Sequence, residues 1–362
     1  MEPVTHMLTG ACLSRALGFP AKARFATVAC VIAAELPDAD YVYRLGGPLT
    51  YFQHHRGWTH ALWSFPLQAA VITAICYAAY ATRSRWKSRR SLDPAPANWP
   101  ALFLMCLLAL LSHILLDWTN NYGVRPFAPW DRHWYAGNLV FIVEPLLLLF
   151  LGGALLLPWI LSLVNKEMGA RKSSRPGQVP ALIALALTAG LWTYRAVQRS
   201  DAAAAIRHED YRSGPVQSAM LSPYPISPYR WFAIVRTRRA FETGFFDTRV
   251  GTYDTDTMHL LPRPPETGAV VAAKKSWLGR VYLDWSKYPV VTDAGTVEQL
   301  HPELDLDPAE RTLRVVRFSD LRFGYPVLGV AGSANPLGAE AWVDANGMVH
   351  REFLGSAEQK LP

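Results

Sequence analysis

The sequence contains no C-x-x-C pair, and its four cysteines, Cys12, Cys30, Cys76 and Cys106, all fall inside apolar runs of the first half. That placement excludes a cysteine-based zinc motif and a thioredoxin-like redox pair, and leaves the cysteines as small buried hydrophobes. No G-x-S-x-G stretch occurs, so serine hydrolysis has no nucleophile elbow. No nucleotide-binding α/β pattern surrounds the Asp38–Ala39–Asp40 pair, which removes the support a glycosyltransferase reading needs. The opening MEPVTHMLTG has a histidine where the apolar core of a secretory signal would begin, and is not read as one. Basic residues give a formal net charge of +7 but form no stripe interleaved with aromatics, so nucleic acid is set aside as a partner. Much of that charge clusters beside apolar runs, where membrane-topology signals belong.

Long apolar runs dominate the first 200 residues. Stretches 60–82, 100–117, 139–164 and 178–197 are long enough, or nearly so, to cross a bilayer as helices. Stretches 5–18 and 22–36 are shorter and are expected to form a helical hairpin broken at Gly18–Phe19–Pro20. Basic links at 83–90 and at Lys166, Arg171, Lys172 and Arg175, with Arg15, Lys22 and Arg24 at the hairpin turn, fall on one side if the helices alternate. That side is expected to be cytoplasmic, although Arg195 and Arg199 run against it. After a polar linker helix at 198–218, the tail reads as β-structure, with strands at 230–238, 277–285, 312–323 and 339–353. Asn346–Gly347 marks a two-residue hairpin turn, and proline-rich breaks occur at 223–228 and 262–265. The expected architecture is a polytopic α-helical membrane domain (1–198) followed by a smaller β-rich (α+β) extracytoplasmic domain (199–362).

Six of the ten histidines precede residue 134, several beside a carboxylate or at a helix boundary. They make five clusters with the neighbouring acids: Thr5–His6; Asp38 and Asp40; His54, His55 and His60, with Arg56 between; His113 with Asp117; and Glu144–Pro145. Because antiparallel helices alternate direction, all five converge on one membrane face. His6 stands at the start of the first helix, and Thr59 is expected to cap the span that His60 opens. His113 and Asp117 stand at i and i+4 and share a helical face, while Glu144 lies in the first turns of the following span. Imidazole and carboxylate suit zinc, manganese or iron(II), and ionisable groups at membrane depth are costly unless they serve a function. Candidate ligands are His6, Asp38, Asp40, His55, His60, His113, Asp117 and Glu144, enough for one or two divalent ions, zinc first among them. Arg56 and Arg125 would stabilise an anion, and Asp40 and Glu144 are the candidate catalytic acids or bases. His208, His259, His301 and His350 are scattered through the second half and read as ordinary.

These elements resemble the YdjM-like family of bacterial inner-membrane proteins, described as metal-dependent hydrolases. The resemblance rests on Thr5–His6, Pro37–Asp38–Ala39–Asp40, His55–Arg56–Gly57–Trp58–Thr59–His60 and His113–Ile114–Leu115–Leu116–Asp117. Asn121–Tyr122–Gly123, Pro126–Phe127, Asp131–Arg132–His133–Trp134 and the acid–proline pair Glu144–Pro145 fit as well. It covers roughly residues 1–165 and continues weakly around Pro228, Trp231 and Trp285–Ser286–Lys287–Tyr288–Pro289. Ala61 stands where a serine is common in the family, and Glu144 where aspartate is common. The resemblance implies a membrane-bound, metal-dependent hydrolase, and the expected substrate is a lipid or phosphoester at the outer face of the inner membrane. The competing classes are a transporter or metal-handling membrane protein, and a non-catalytic stress-response membrane protein. The first would need a second polar cluster on the basic face, which the sequence does not show.

Overall fold

A computed structural model of the chain describes residues 1–86, 97–167, 177–325 and 337–359. Within the basic links read as topology signals, residues 87–90 and Arg171, Lys172 and Arg175 lie outside the described residues. The chain divides into two compact units: Met1–Asp40 with Arg56–Gln198 and Pro225–Pro228, and Tyr41–His55 with Arg199–Tyr224 and Tyr229–Pro362.

The first unit is helical. Helices α1 (Pro3–Ala16) and α2 (Ala26–Glu35) form the expected hairpin. Gly18, at φ +66°, takes the left-handed conformation that stops α1, and a short turn at Phe19–Ala21 reverses the chain. At about 1.5 Å per residue neither helix is long enough to cross a hydrocarbon core about 30 Å thick. Their contact is made by small residues. Gly10 faces the backbone of Cys30, and Ala29, Ala33 and Ala34 are fully buried. Helices α4 (Phe65–Trp86) and α5 (Trp99–Thr119) close over this hairpin, with Phe65, Ala69, Ile72, Met105, Cys106, Ala109 and Leu110 in one core. Outward, α4 presents Leu67, Val71 and Ile75, and α5 presents Leu104, Leu111 and Leu115. An apolar exterior with internally satisfied backbone is what lipid requires of a spanning helix.

Among the described residues, three segments can cross a membrane by length and composition: Leu62–Thr82, Trp99–Thr119 and Gln178–His208. The last is helix α7, which runs through the expected linker to His208 without a break. Helix α6 (Pro145–Glu167) is a further apolar helix, and its start differs from the expected 139. Residues 139–144 are not helical. The N–H groups of Leu139 and Val140 turn back to the Thr119 carbonyl, and Pro145, with no N–H to satisfy, begins the helix. Glu144 therefore stands just before α6, its carbonyl accepting from Leu147 and Leu148.

The second unit carries two antiparallel sheets. The first orders β1 (Ser218–Pro223), β2 (Arg230–Arg236), β3 (Ala240–Asp247) and β4 (Thr252–Tyr253), with β5 (His259–Pro262) also on β3. Trp231, Ala233, Val235 and Phe246 of this sheet bury Ala202 and Ile206 of α7. The second orders β10 (Ala357–Gln359), β9 (Val349–Leu354), β8 (Ala339–Val343), β7 (Arg314–Asp320) and β6 (Pro289–Thr296). Helices α8 (Gly268–Lys275) and α9 (Trp277–Trp285) precede β6. The expected strand at 277–285 is thus a helix: Ser276 caps it by accepting from Gly279, and Leu278, Tyr282 and Trp285 recur at helical spacing on the buried face. The mixed aromatic and β-branched content of that stretch hid the 3.6 period. The β8–β9 hairpin is also longer than a two-residue turn, since Val343 pairs with Val349 and residues 344–348 form the loop around Gly347 at φ +83°. Helix α3 (Pro48–His54) joins this unit because Leu49 and Phe52 are buried, with Phe52 against Trp285 and the Leu49 N–H on Gln359 Oε1.

The α1–α2 contact yields a direct test. A Cβ at Gly10 would lie 2.7 Å from the Cys30 carbonyl oxygen and 2.9 Å from Ala34 Cβ. Gly10→Val is expected to cost roughly 1–3 kcal/mol by overpacking, read as a lower thermal-unfolding midpoint of the detergent-purified full chain. An unchanged midpoint contradicts this packing.

Candidate metal centre

Four side chains from three segments meet inside the first unit. Asp38 comes from the 3-10 stretch Leu36–Gly46 that follows α2, His60 from the turn Trp58–His60, and His113 and Asp117 from α5. One donor atom of each lies within 4.8 Å of all the others. His60 Nε2 is 3.1 Å from His113 Nε2, 3.3 Å from Asp38 Oδ1 and 3.5 Å from Asp117 Oδ2. His113 Nε2 is 3.5 Å from Asp117 Oδ2 and 3.8 Å from Asp38 Oδ1. A tetrahedral ion with ligand bonds of 2.0–2.2 Å has ligand–ligand edges of about 3.3–3.6 Å. Five of the six edges are therefore close to those of such a site.

The protonation pattern points the same way. His113 Nδ1 lies 2.6 Å from the Ala34 carbonyl, one of the last of α2. A carbonyl only accepts, so Nδ1 carries the proton and Nε2 is a bare lone pair. The other nitrogen of His60 faces Thr59 Oγ1 at 3.1 Å and Asp40 Oδ2 at 3.5 Å. Two imidazole nitrogens and two carboxylate oxygens then face one another at short range. Asp117 Oδ2 is buried without a hydrogen-bond partner, as a ligand atom would be. A carboxylate behind a ligating imidazole is the usual second layer of a metal centre. The electrostatics describe the same demand for positive charge. Burial disfavours the charged form of His60, yet its contacts with Asp117 and Asp38 win and raise its affinity for a proton. Burial opposes ionisation of Asp38 too, but the two histidines pull it below the usual carboxylate range. This group of histidines and aspartates could bind a metal ion.

Around the four stands a tight support. Arg56 is a non-glycine residue at φ 55°, a conformation that costs roughly 1–3 kcal/mol and persists only where its surroundings enforce it. Its backbone N–H donates to Asp40 Oδ2 at 2.8 Å. Its guanidinium donates to Asp117 Oδ1 and to the Gly123 carbonyl, each at 2.7 Å, and lies over the Tyr122 ring. His6 stacks on His113 at 3.8 Å and sets Nε2 3.5 Å from Asp117 Oδ1, with neither ring nitrogen hydrogen-bonded. The Met1 amino group also meets Asp117 Oδ1.

The structure thus brings together Asp38, Asp40, His60, His113, Asp117, Arg56 and His6. His55 ends α3, its ring tilted against Tyr51. One candidate lies elsewhere. Glu144 is fully buried and paired with Arg195 at 3.1 Å, and its Oε1 accepts from the Ile226 N–H. Arg125 lies over the Trp134 ring. Thr59 caps no helix, because α4 starts only at Phe65 and the hydroxyl turns to the His60 ring instead. Sequence reading missed the Ala34 and Gly123 carbonyls, which no side-chain pattern reveals. It also read Arg195 as a topology signal, although a lone charge within an apolar run was the cue to look for a buried partner.

The family model for the YdjM inner membrane protein matches residues 1–200, and the chain belongs to that family of membrane proteins. The match spans all seven residues of the cluster and its support and stops short of both sheets. The chain is also similar to the uncharacterized protein YfhP of Bacillus subtilis (strain 168), 28% identical over 152 residues. That similarity covers 40% of this chain and 42% of YfhP. No solved structure matches.

The Asp40 contact generates a two-sided prediction. Asp40→Asn removes the charge that orients His60, and is expected to weaken metal affinity about 10–100-fold at pH 8 in a chelator competition. Protons compete with metal for His60, so retention falls as pH falls. Asp40 is one of the charges that raise the His60 proton affinity. Its removal lowers that proton affinity, so the loss of metal affinity is expected to be smaller at acid pH than at pH 8. Unchanged affinity at pH 8, or a deficit that grows as pH falls, contradicts the arrangement.

Proposed function

We propose that this YdjM inner membrane protein family member is a metal-dependent hydrolase of phosphoesters at the bilayer surface, with Asp38, His60, His113 and Asp117 holding the ion. The observation that carries this reading is the convergence of four metal-ligating atoms, most of them at tetrahedral spacing. Zinc suits two imidazoles and two carboxylates best, with manganese or iron(II) as the harder alternatives. A divalent ion there supplies Lewis acidity toward a phosphoryl oxygen and lowers the pKa of water.

The chain's own residues do the rest. Asp38 is the one ligand that keeps some exposure, its side chain 23% accessible, so water and substrate approach from its side. Arg56 positions Asp117 through Nη2, while its Nε remains buried and without a partner. That N–H is the donor available to an anionic phosphoryl group. Asp40 holds the Arg56 backbone and the His60 ring together, acting through them as a positioning residue. In the reaction, a water oxygen bonds to phosphorus, the ester P–O bond breaks, and the departing alcohol leaves with a proton. The outer face of the inner membrane remains the proposed side, on the strength of Arg15, Lys22 and Arg24 at the opposite end of the hairpin.

Proteoliposomes holding the full chain, loaded with zinc, manganese or iron(II), should release phosphate or alcohol from phosphoester substrates. Chelator, His113→Ala or Asp117→Ala should reduce that release by at least about a hundredfold. Turnover that survives both chelation and the substitutions belongs to another site and ends the proposal.

A further inference from the structure

Beside the cluster lies a group of exposed tryptophans that the site itself does not use. Trp58, Trp63 and Trp130 are 59%, 42% and 78% exposed. The Trp63 ring stands edge-on to Trp58 at 5.8 Å and to Trp130 at 6.2 Å, and its Nε1–H is fixed on the Ala128 carbonyl at 2.7 Å. Three large rings facing outward are costly in water unless something covers them. Their position identifies the cover. Trp58 opens the turn that ends at His60, and Trp63 lies at the start of the apolar span Leu62–Thr82. Trp118, 40% exposed, marks the corresponding end of α5.

The other end of the same helices carries a second aromatic group. Trp99 packs edge-on against Tyr77 and Tyr80, with the Arg24 guanidinium over Tyr80. Trp99 opens the 21-residue helix α5 and Trp118 is its penultimate residue, so the two stand about 28 Å apart along the axis. That is close to the thickness of a bilayer's hydrocarbon core, whose two boundaries are where tryptophan and tyrosine collect. Asp117 adjoins Trp118, and His113 lies about 8 Å deeper along the helix. The four-donor cluster is therefore at the level where headgroup meets acyl chain.

We infer that Trp58, Trp63 and Trp130 form a platform in the phospholipid headgroup layer that seats a lipid headgroup against the His/Asp cluster, so that the substrate is a bilayer lipid rather than a water-soluble ester. The substrate half of this inference rests on the hydrolytic reading; the platform does not. The full chain in phosphatidylcholine–phosphatidylglycerol nanodiscs tests it, with a nitroxide on the lipid headgroup or at carbon 12 of the acyl chain. Quenching of tryptophan fluorescence by the headgroup nitroxide is expected to fall about twofold in the triple variant W58F/W63F/W130F. Quenching from carbon 12 should stay as in wild type, which shows that the variant is inserted and folded. Equal headgroup quenching in both proteins overturns the platform. In the same nanodiscs, hydrolysis of lipid phosphoester by the metal-loaded chain should drop at least about tenfold in the variant, and equal turnover overturns the seating role. A wild type without turnover removes the hydrolytic reading alone, because the quenching result still decides the platform.

Discussion

Two imidazole nitrogens 3.1 Å apart and two carboxylate oxygens crowd into one buried space, where a shared cation, a proton or a metal ion, makes the arrangement favourable. This constraint organises the first unit. His113 is turned by a helix-terminal carbonyl, His60 by Asp40 and Thr59, and Asp117 by Arg56. Each orienting contact is a hydrogen bond or ion pair to a buried group, where an unmatched partner costs about 1–3 kcal/mol. Left without a cation, the four donors would be held against one another at the expense of the fold. With a proton on His60 or a divalent ion among them, the same geometry is favourable.

The scaffold serves this geometry through its smallest residues. Gly10 allows α1 to approach the backbone of α2, which sets His6 over His113 and presents the Ala34 carbonyl to the His113 ring. The left-handed turn at Arg56 points its backbone N–H to one aspartate and its guanidinium to another, so one residue fixes both sides of the cluster. Buried charge elsewhere in the unit is handled separately, by pairing Glu144 with Arg195. Two fully buried opposite charges are tolerable together and costly apart.

Much of this was legible in the residues. Long apolar runs located α4, α5 and α7, and the i, i+4 pair His113–Asp117 already implied a shared helical face. Placing clusters at alternating helix ends was enough to foresee that His6, Asp38, His60 and Asp117 would meet, because that argument uses only topology. What escaped was set by contacts distant in sequence. Burial of Leu49 and Phe52 draws α3, which no apolar run announced, into the second unit. Pro145 rather than hydrophobicity decides where α6 begins, which leaves Glu144 outside the helix. In the second unit, aromatic content suggested a strand at 277–285, while the cap at Ser276 and the spacing of Leu278, Tyr282 and Trp285 make a helix.

The central claim is that four side chains hold a metal ion, and elemental analysis of the detergent-purified full chain addresses it most directly. After reconstitution with zinc, manganese or iron(II) and removal of free ion, about one ion per chain should remain bound at the four-donor site. It should be lost when His113 and Asp117 are both replaced by alanine. A wild-type chain that stays metal-free with every ion offered contradicts the account, and the cluster would then be a protonated hydrogen-bond network between helices.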